Sequence, residues 1–340
     1  MVYQIKSIDN EQEDLQFLNF LGIFKESFKI ILTWPKIFIQ IILAFILPQS
    51  CLFLANNWIS KLLFSKINHN LYTLHTNRVG SPTYNDISNS IYSEWATFWL
   101  IKTAYFIFSM ILSLLTISAV VYTVACIYTG KEIAFRKVIT VVPKVWKRLM
   151  ITFLCNFCIM FAYIFVLTLI IILSIMLFHK PGYEIEVWFA LILVIYVILF
   201  IVGIFYMTMI WQLSNVISVM EKICGFKALK KSKELIKGKM GIAFAILLVI
   251  NLCVIPTMML IDELPRFGIV ERFCFGIFSL VLWTFFTLFG LVVQTVFYLV
   301  CKSYHHESID KTSLADHLDV YLGEYVPLKD ESIQLERLHV

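Results

Sequence analysis

Apolar residues along the 340-residue chain gather into six runs, separated by polar and charged stretches. A bilayer core takes about 20 helical residues. The runs are Ile37 to Asn56, Trp99 to Ile127, Met150 to Phe178, Val187 to Val216, Met240 to Ile261 and Phe275 to Cys301. Several exceed the minimum, which predicts tilt or extension into the interface. Pro48 and Pro256 fall within runs and predict kinks, with neighbouring helices meeting the freed carbonyls. The pattern predicts an all-α fold, a polytopic membrane bundle of about six transmembrane helices. The stretch from Asn57 to Phe98 is Asn/Ser/Tyr-rich and predicts a long outer loop, with His69 and His75 in solvent. It holds no Asn-x-Ser/Thr sequon, so no N-glycosylation is expected there. Met1 to Asp14 is polar and acidic. It does not read as a cleavable signal peptide, and the first span is expected to act as its own insertion signal.

Charge sets an orientation. With the N-terminus inside, 21 of the 28 Lys and Arg residues fall on the inner side, 13 of them in two short loops. Lys102, inside a span near its outer end, can snorkel. The positive-inside rule then predicts that both termini are cytosolic. It does not distinguish endoplasmic reticulum or other endomembranes from the plasma membrane.

A repeat runs through the inner segments. Gly22, Gly130 and Gly225 each open a basic stretch. Thirteen residues later stand Pro35, Pro143 and Gly238, each followed by a lysine: Lys36, Lys144 and Lys239. A span follows each. At 100° per residue, the third stretch places Phe226, Ala228, Leu229, Leu235 and Ile236 opposite Lys227, Lys230, Lys231 and Lys237. The second opposes Ala134, Val138, Val142, Val145 and Trp146 to Arg136, Lys137, Lys144, Lys147 and Arg148. The first, weaker, opposes Phe24, Phe28, Ile30 and Ile31 to Lys25 and Lys29. Three cytoplasmic amphipathic interfacial helices in a threefold internal repeat are therefore expected, possible packing around a pseudo-threefold axis included. Such helices lie in the membrane interface. Lys137, Lys144, Lys147, Arg148, Lys227, Lys230, Lys231 and Lys237 are the candidate contacts to anionic headgroups, at roughly 1 kcal/mol each. The same charges also satisfy a plain positive-inside reading, or a site for a soluble partner.

The runs and the repeat divide the chain. Residues 1–36 form a cytosolic N-terminus with an amphipathic helix, and 37–127 a membrane hairpin with the long outer loop. Residues 128–216 form an interfacial helix and second hairpin, and 217–301 a basic interfacial helix and third hairpin. Residues 302–340 form an acidic cytosolic tail, with eight acidic and four basic residues. In the tail, Tyr325 to Leu328 fits the tyrosine-x-x-apolar form of a sorting signal. Docking of the tail on the basic inner helices is the alternative.

Composition narrows the chemistry. Sixty per cent of the residues are hydrophobic and 15% charged, against about 45–50% and about 25% in soluble domains. Much of the chain therefore avoids water. The net charge of +5 forms no nucleic-acid footprint. The eight cysteines suggest no disulfide framework. Cys155 and Cys158 form a CxxC inside an apolar helix and read as packing. Cys126, Cys224 and Cys301 stand near inner membrane borders, where S-acylation occurs. His305, His306, Glu307 and Asp310 lack the rigid scaffold that a metal site needs, and no metal or other cofactor is expected. There is no GxSxG, P-loop, HExxH or GxGxxG, so no enzyme is expected. Deep polar residues are amides, namely Gln40, Asn156, Gln212, Asn251 and Gln294. Asn156 and Asn251 share one offset in their repeats and are the candidate intramembrane packing residues, joining helices by hydrogen bonds. The same amides could instead line a polar path. No buried carboxylate suited to proton coupling is evident.

Ile217-Ser-Val-Met-Glu221, Gly225-Phe-Lys-Ala-Leu-Lys-Lys-Ser232 and Leu235-Ile-Lys-Gly238 resemble a segment of the membrane domain that precedes the catalytic barrel in some bacterial glycerophosphodiester phosphodiesterases. The barrel carries that family's chemistry. The 39 residues after Cys301 are too few for one, so the activity is not carried over. Leu21-Gly-Ile-Phe-Lys-Glu-Ser-Phe-Lys29, Ser303-Tyr-His-His-Glu-Ser-Ile-Asp310 and Tyr321-Leu-Gly-Glu-Tyr-Val-Pro-Leu328 resemble a family of uncharacterised plant multi-pass membrane proteins over essentially the full length. That resemblance implies membrane residence and no assigned activity. The expectation is a non-enzymatic membrane protein that organises lipid or partner proteins at the cytoplasmic face. Its partners would be anionic headgroups and unknown proteins, with no nucleic acid. A channel or transporter for a small solute is the alternative.

Overall fold

A computed structural model describes residues 18–77, 81–130, 135–178, 185–221, 223–263 and 268–305. His179 and Lys180, His306, Glu307 and Asp310, the tyrosine motif of 325–328 and the acidic N-terminal segment lie outside the described residues. The described residues are helical throughout, without a strand. The helices are α1 (Phe20–Thr33), α2 (Pro35–Ile41), α3 (Leu47–Thr76), α4 (Pro82–Thr129), α5 (Phe135–Phe178), α6 (Ile185–Met220), α7 (Phe226–Ile236), α8 (Met240–Glu263) and α9 (Ile269–Tyr304). Six helical stretches are long and apolar enough to cross a membrane: Pro35–Thr76, Tyr84–Thr129, Phe135–Met176, Ala190–Met220, Met240–Ile261 and Phe273–Tyr304. The chain is a multi-pass membrane protein of all-α class.

Proline and glycine punctuate these helices. A five-residue π-helix, Ile42–Ile46, joins α2 to α3 immediately before Pro48. Proline removes one helical donor, and a π turn is a usual way to absorb that loss. Pro256 lies inside α8. The chain divides into two compact units. Among the described residues, one comprises Leu18–Val120 and Ile236–Phe297; the other comprises Val121–Leu235 and 298–305.

In the first unit the predicted outer loop is helical. From Gln49 to Val79 there is neither glycine nor proline, and again none from Thr83 to Thr129. The helices therefore run on past the membrane core. At about 1.5 Å per residue, the 48 residues of α4 reach about 70 Å, more than twice a bilayer core. Ser81 directly precedes α4: its Oγ accepts from Tyr84 N at 3.1 Å, with Pro82 opening the helix. This is the usual N-terminal chemistry of a helix. The polar residues that read as loop instead tie α3 to α4. Glu94 is only 8% exposed and takes Lys66 Nζ at 3.0 Å and Asn70 Nδ2 at 2.9 Å. Lys102 Nζ donates to Asn56 Oδ1 at 3.2 Å. His69 and His75 thus stand on α3. Aromatic contacts join Phe53 to Trp283 at 4.9 Å and Phe24 to Phe289 at 5.6 Å.

In the second unit α5 and α6 pair as an antiparallel hairpin. Tyr163 donates its hydroxyl to Leu199 O at 2.7 Å. A Cβ at Gly203 would collide with that ring, so glycine there permits the approach. Phe157, Phe161, Phe165 and Ile172 on α5, and Leu191, Val194, Ile198 and Val202 on α6, are exposed. Rows of bare apolar side chains of this length suit hydrocarbon, not water.

A candidate docking cleft at the lysine-rich end

The site lies wholly within the second unit, where α6 and α9 end. Helix α6 closes with Glu221 N bonding Ile217 O at 2.8 Å. The chain then turns at Gly225, which is buried and has φ +65°. A left-handed backbone favours glycine. Space imposes it as well, since a Cβ would meet Cys155 Sγ and Ile151 Cγ2, each at 3.3 Å. Gly225 N donates to Thr152 Oγ1 at 2.9 Å, and that hydroxyl lies 2.7 Å from Ser218 Oγ. Leu229 N returns to Gly225 O at 3.1 Å. The start of α7 is thus pinned to both helices of the hairpin.

Helix α7 buries Ala228, Leu229, Ser232, Leu235 and Ile236. Full burial of a leucine or isoleucine contributes about 1.5–3 kcal/mol. The buried Ser232 hydroxyl donates to Ile210 O at 2.8 Å, which meets its hydrogen-bonding need out of water. At the other end His305 Nε2 sits 3.1 Å from Leu235 O, one of the carbonyls a helix C-terminus leaves unpaired.

Glu221 gathers the charges. Its Oε2 takes Lys231 Nζ at 2.9 Å, while Oε1 takes Tyr298 OH at 2.7 Å and lies 3.5 Å from Lys302 Nζ. Burial alone would raise its pKa. The bonds from Tyr298 and Lys231, and the charges of Lys302 and Lys231, outweigh burial and hold the carboxyl below its ordinary range. Lys231 is therefore committed to an internal partner. Lys227 and Lys230 are exposed and have no ion-pair partner among the described residues. Beside them opens a cleft of about 550 Å³, lined by Lys227, Lys230, Lys231, Glu234, Leu235 and His305.

The structure brings Lys227, Lys230 and Lys231 together and leaves Lys237 exposed beyond the helix. On α5, Lys144 and Lys147 are exposed, and Lys137 and Arg148 half-buried. None of these four lines the cleft. Phe226, read from periodicity as apolar-side, is 63% exposed. Asn156 is buried at 7% exposure, and its Oδ1 has no partner. Asn251 donates to Leu247 O of its own helix at 2.7 Å. Cys126 and Cys301 are buried, which leaves no access for acylation. Cys224 is half-buried. Within the CxxC, Cys155 packs near Gly225 and Cys158 is exposed.

Sequence reasoning missed Glu221, Tyr298, Ser232 and Thr152 as anchors of α7. One signal was available: Lys302 stands one residue past its apolar run and Glu221 five residues past its own, at the same predicted membrane border and with opposite charges. Asn215 was missed too. Its Oδ1, with Trp146 Nε1, Asn156 Oδ1 and Trp211 Nε1, forms a set of buried polar atoms without partners.

A family model for a domain of unknown function, DUF8558, matches residues 8–338. The chain belongs to the DUF8558 family. No curated protein and no solved structure matches it.

Proposed function

We propose that this DUF8558 member is a non-enzymatic membrane protein whose lysine-rich face engages anionic lipid headgroups, and with them partner proteins, at the cytoplasmic side of its membrane. The observation that carries the reading is helix α7. Its apolar face is buried and tied down, while Lys227 and Lys230 stand exposed on the other and Lys237 is exposed just past its end. Near a charged leaflet each lysine contributes about 1 kcal/mol, within a Debye length of about 8 Å at physiological salt. The surplus of inner basic residues supports cytosolic termini, in the endoplasmic reticulum, another endomembrane or the plasma membrane. The resemblances to plant multi-pass proteins and to a non-catalytic phosphodiesterase membrane domain fit the same reading.

The test uses the full chain in nanodiscs. Anionic lipid should raise the Tm above that in phosphatidylcholine alone, and high salt should erase the rise. Replacing Lys227, Lys230 and Lys237 together with Gln should remove most of it. Equal Tm in neutral and anionic discs would refute lipid contact. Terminal tags on sealed vesicles should be cleaved by external protease; protection of either tag would overturn the orientation.

One observation favours a second reading, a path for a small solute. Trp146, Asn156, Trp211 and Asn215 keep buried polar atoms without partners, and such atoms commonly await water or a ligand. On this reading Asn156→Leu abolishes solute flux into liposomes. On the lipid reading it is neutral to stabilising, because it removes an unmet acceptor.

A further inference from the structure

We infer that the cleft beside α7 is a phosphomonoester site, filled by the headgroup of a lipid such as phosphatidic acid. The inference rests on the lipid reading above and narrows it to one headgroup chemistry. Three lysines and one imidazole line the cleft against a single carboxylate, Glu234. Lys231 is already neutralised by Glu221 at 2.9 Å. The ammonium groups left for a ligand are those of Lys227 and Lys230, neighbours one turn apart on α7, with Glu234 the opposing charge in the lining.

Two ammonium groups match a phosphomonoester, which carries about −1.5 to −2 charge near neutral pH and three terminal oxygens. A phosphodiester headgroup offers one charge and two free oxygens. His305 stands at the rim, where its bond to Leu235 O holds the ring beside the lysines. The cleft also has the right address. It opens where α6 ends at Met220 and α9 at Tyr304, beside the apolar lining residue Leu235.

The experiment places the full-length protein in phosphatidylcholine nanodiscs doped with phosphatidic acid or with charge-matched phosphatidylserine, and measures retained lipid by native mass spectrometry. Phosphatidic acid should be retained about tenfold over phosphatidylserine, a difference of about 1.4 kcal/mol. Lys227→Gln with Lys230→Gln should erase that preference. Lys233→Gln, on α7 but outside the cleft, should keep the ratio. Equal retention of the two lipids overturns the phosphomonoester site and leaves the lipid reading standing. Retention of neither above phosphatidylcholine overturns both. Soluble glycerol 3-phosphate gives the last arm. Failure to displace phosphatidic acid identifies the lipid as occupant. Displacement at comparable affinity keeps the phosphomonoester chemistry but overturns the lipid as its source.

Discussion

Gly130 and Gly225 open equivalent lysine-rich segments with the same left-handed backbone, φ 67° and 65°, yet the chain leaves the two segments differently. After Gly225, α7 ends at Ile236, and Gly238 with φ 88° turns the chain toward α8. At the equivalent place Pro143 lies inside α5, which runs on to Phe178. Proline keeps a helical φ and removes only a donor, whereas glycine with positive φ leaves the helix. The first repeat takes a third route. Gly22 is an ordinary residue of α1, and Trp34, at φ −122° and ψ 50°, breaks the chain before Pro35 opens α2. The detached helix α7 has polar anchors at both ends and its middle. The start of α5 inherits rigidity from the span it continues into, and buries Val138, Val141, Val142, Val145 and Leu149. A basic segment cut loose from its span needs anchors of its own.

Removing the anchor should therefore have the largest effect. Glu221→Ala leaves Lys231, Lys302 and Tyr298 without their shared acceptor. Bonds to charged groups contribute about 1.5–3 kcal/mol, and partial exposure of Lys231 and Lys302 places the expected loss near 2 kcal/mol. Lys144→Gln on α5 should stay within about 0.5 kcal/mol. Thermal unfolding in detergent gives both values, and proteolysis should open the chain near residues 221–226 only in the first variant. An unchanged Tm for Glu221→Ala would mean that the apolar face alone holds α7.

The two glycines sharpen the contrast next. Both →Ala changes meet the left-handed penalty of about 1–2 kcal/mol. At Gly225 the new Cβ also meets Cys155 and Ile151, while at Gly130 nothing lies within 4 Å. Gly225→Ala should cost about 2 kcal/mol and Gly130→Ala about 1 kcal/mol. Adding Cys155→Ala should restore part of the first loss and none of the second, a coupling that a double-mutant cycle reads directly.

Acid should reproduce the anchor's removal in milder form. The pKa of Glu221 is lowered in the folded protein. Its stabilising contribution is then present above the unfolded value of about 4.3 and is lost as pH falls through the lower folded value. Amide exchange across α7 should rise in that acidic window, while the start of α5 stays protected. Glu221→Gln should abolish the pH dependence. Equal acid responses in both segments would detach the carboxylate from the anchoring.

The six spans were legible because apolar run length is a sequence property that the bilayer reads directly. The extension of α3 and α4 was not, because Asn/Ser/Tyr composition from Asn57 to Phe98 outweighed the missing punctuation between Pro48 and Gly80 and between Pro82 and Gly130. The candidate lysines of α7 were legible from periodicity. That Lys231 turns inward was not, since its partner depends on Glu221, Tyr298 and Lys302 arriving from two other helix ends. The shared offset of Asn156 and Asn251 is a true sequence regularity, but it does not specify a bond. One amide is buried with an unmet oxygen and the other caps a carbonyl of its own helix.

The smallest effect should come from Pro143, the residue that keeps the second segment fused to its span. Its ring leaves the carbonyl of Ile139, four residues earlier, without a helical donor. The side chain is exposed, so its removal opens no cavity. An interior proline costs about 3 kcal/mol relative to alanine in an aqueous helix. Here the helix already runs through it, and at a membrane border water or neighbouring groups can meet the freed carbonyl. Pro143→Ala should therefore gain less than about 1 kcal/mol, seen as a slight rise in Tm and slower exchange across residues 139–147. A loss instead would show that the proline is a needed bend, and that the second basic segment, like α7, depends on a break in its helix.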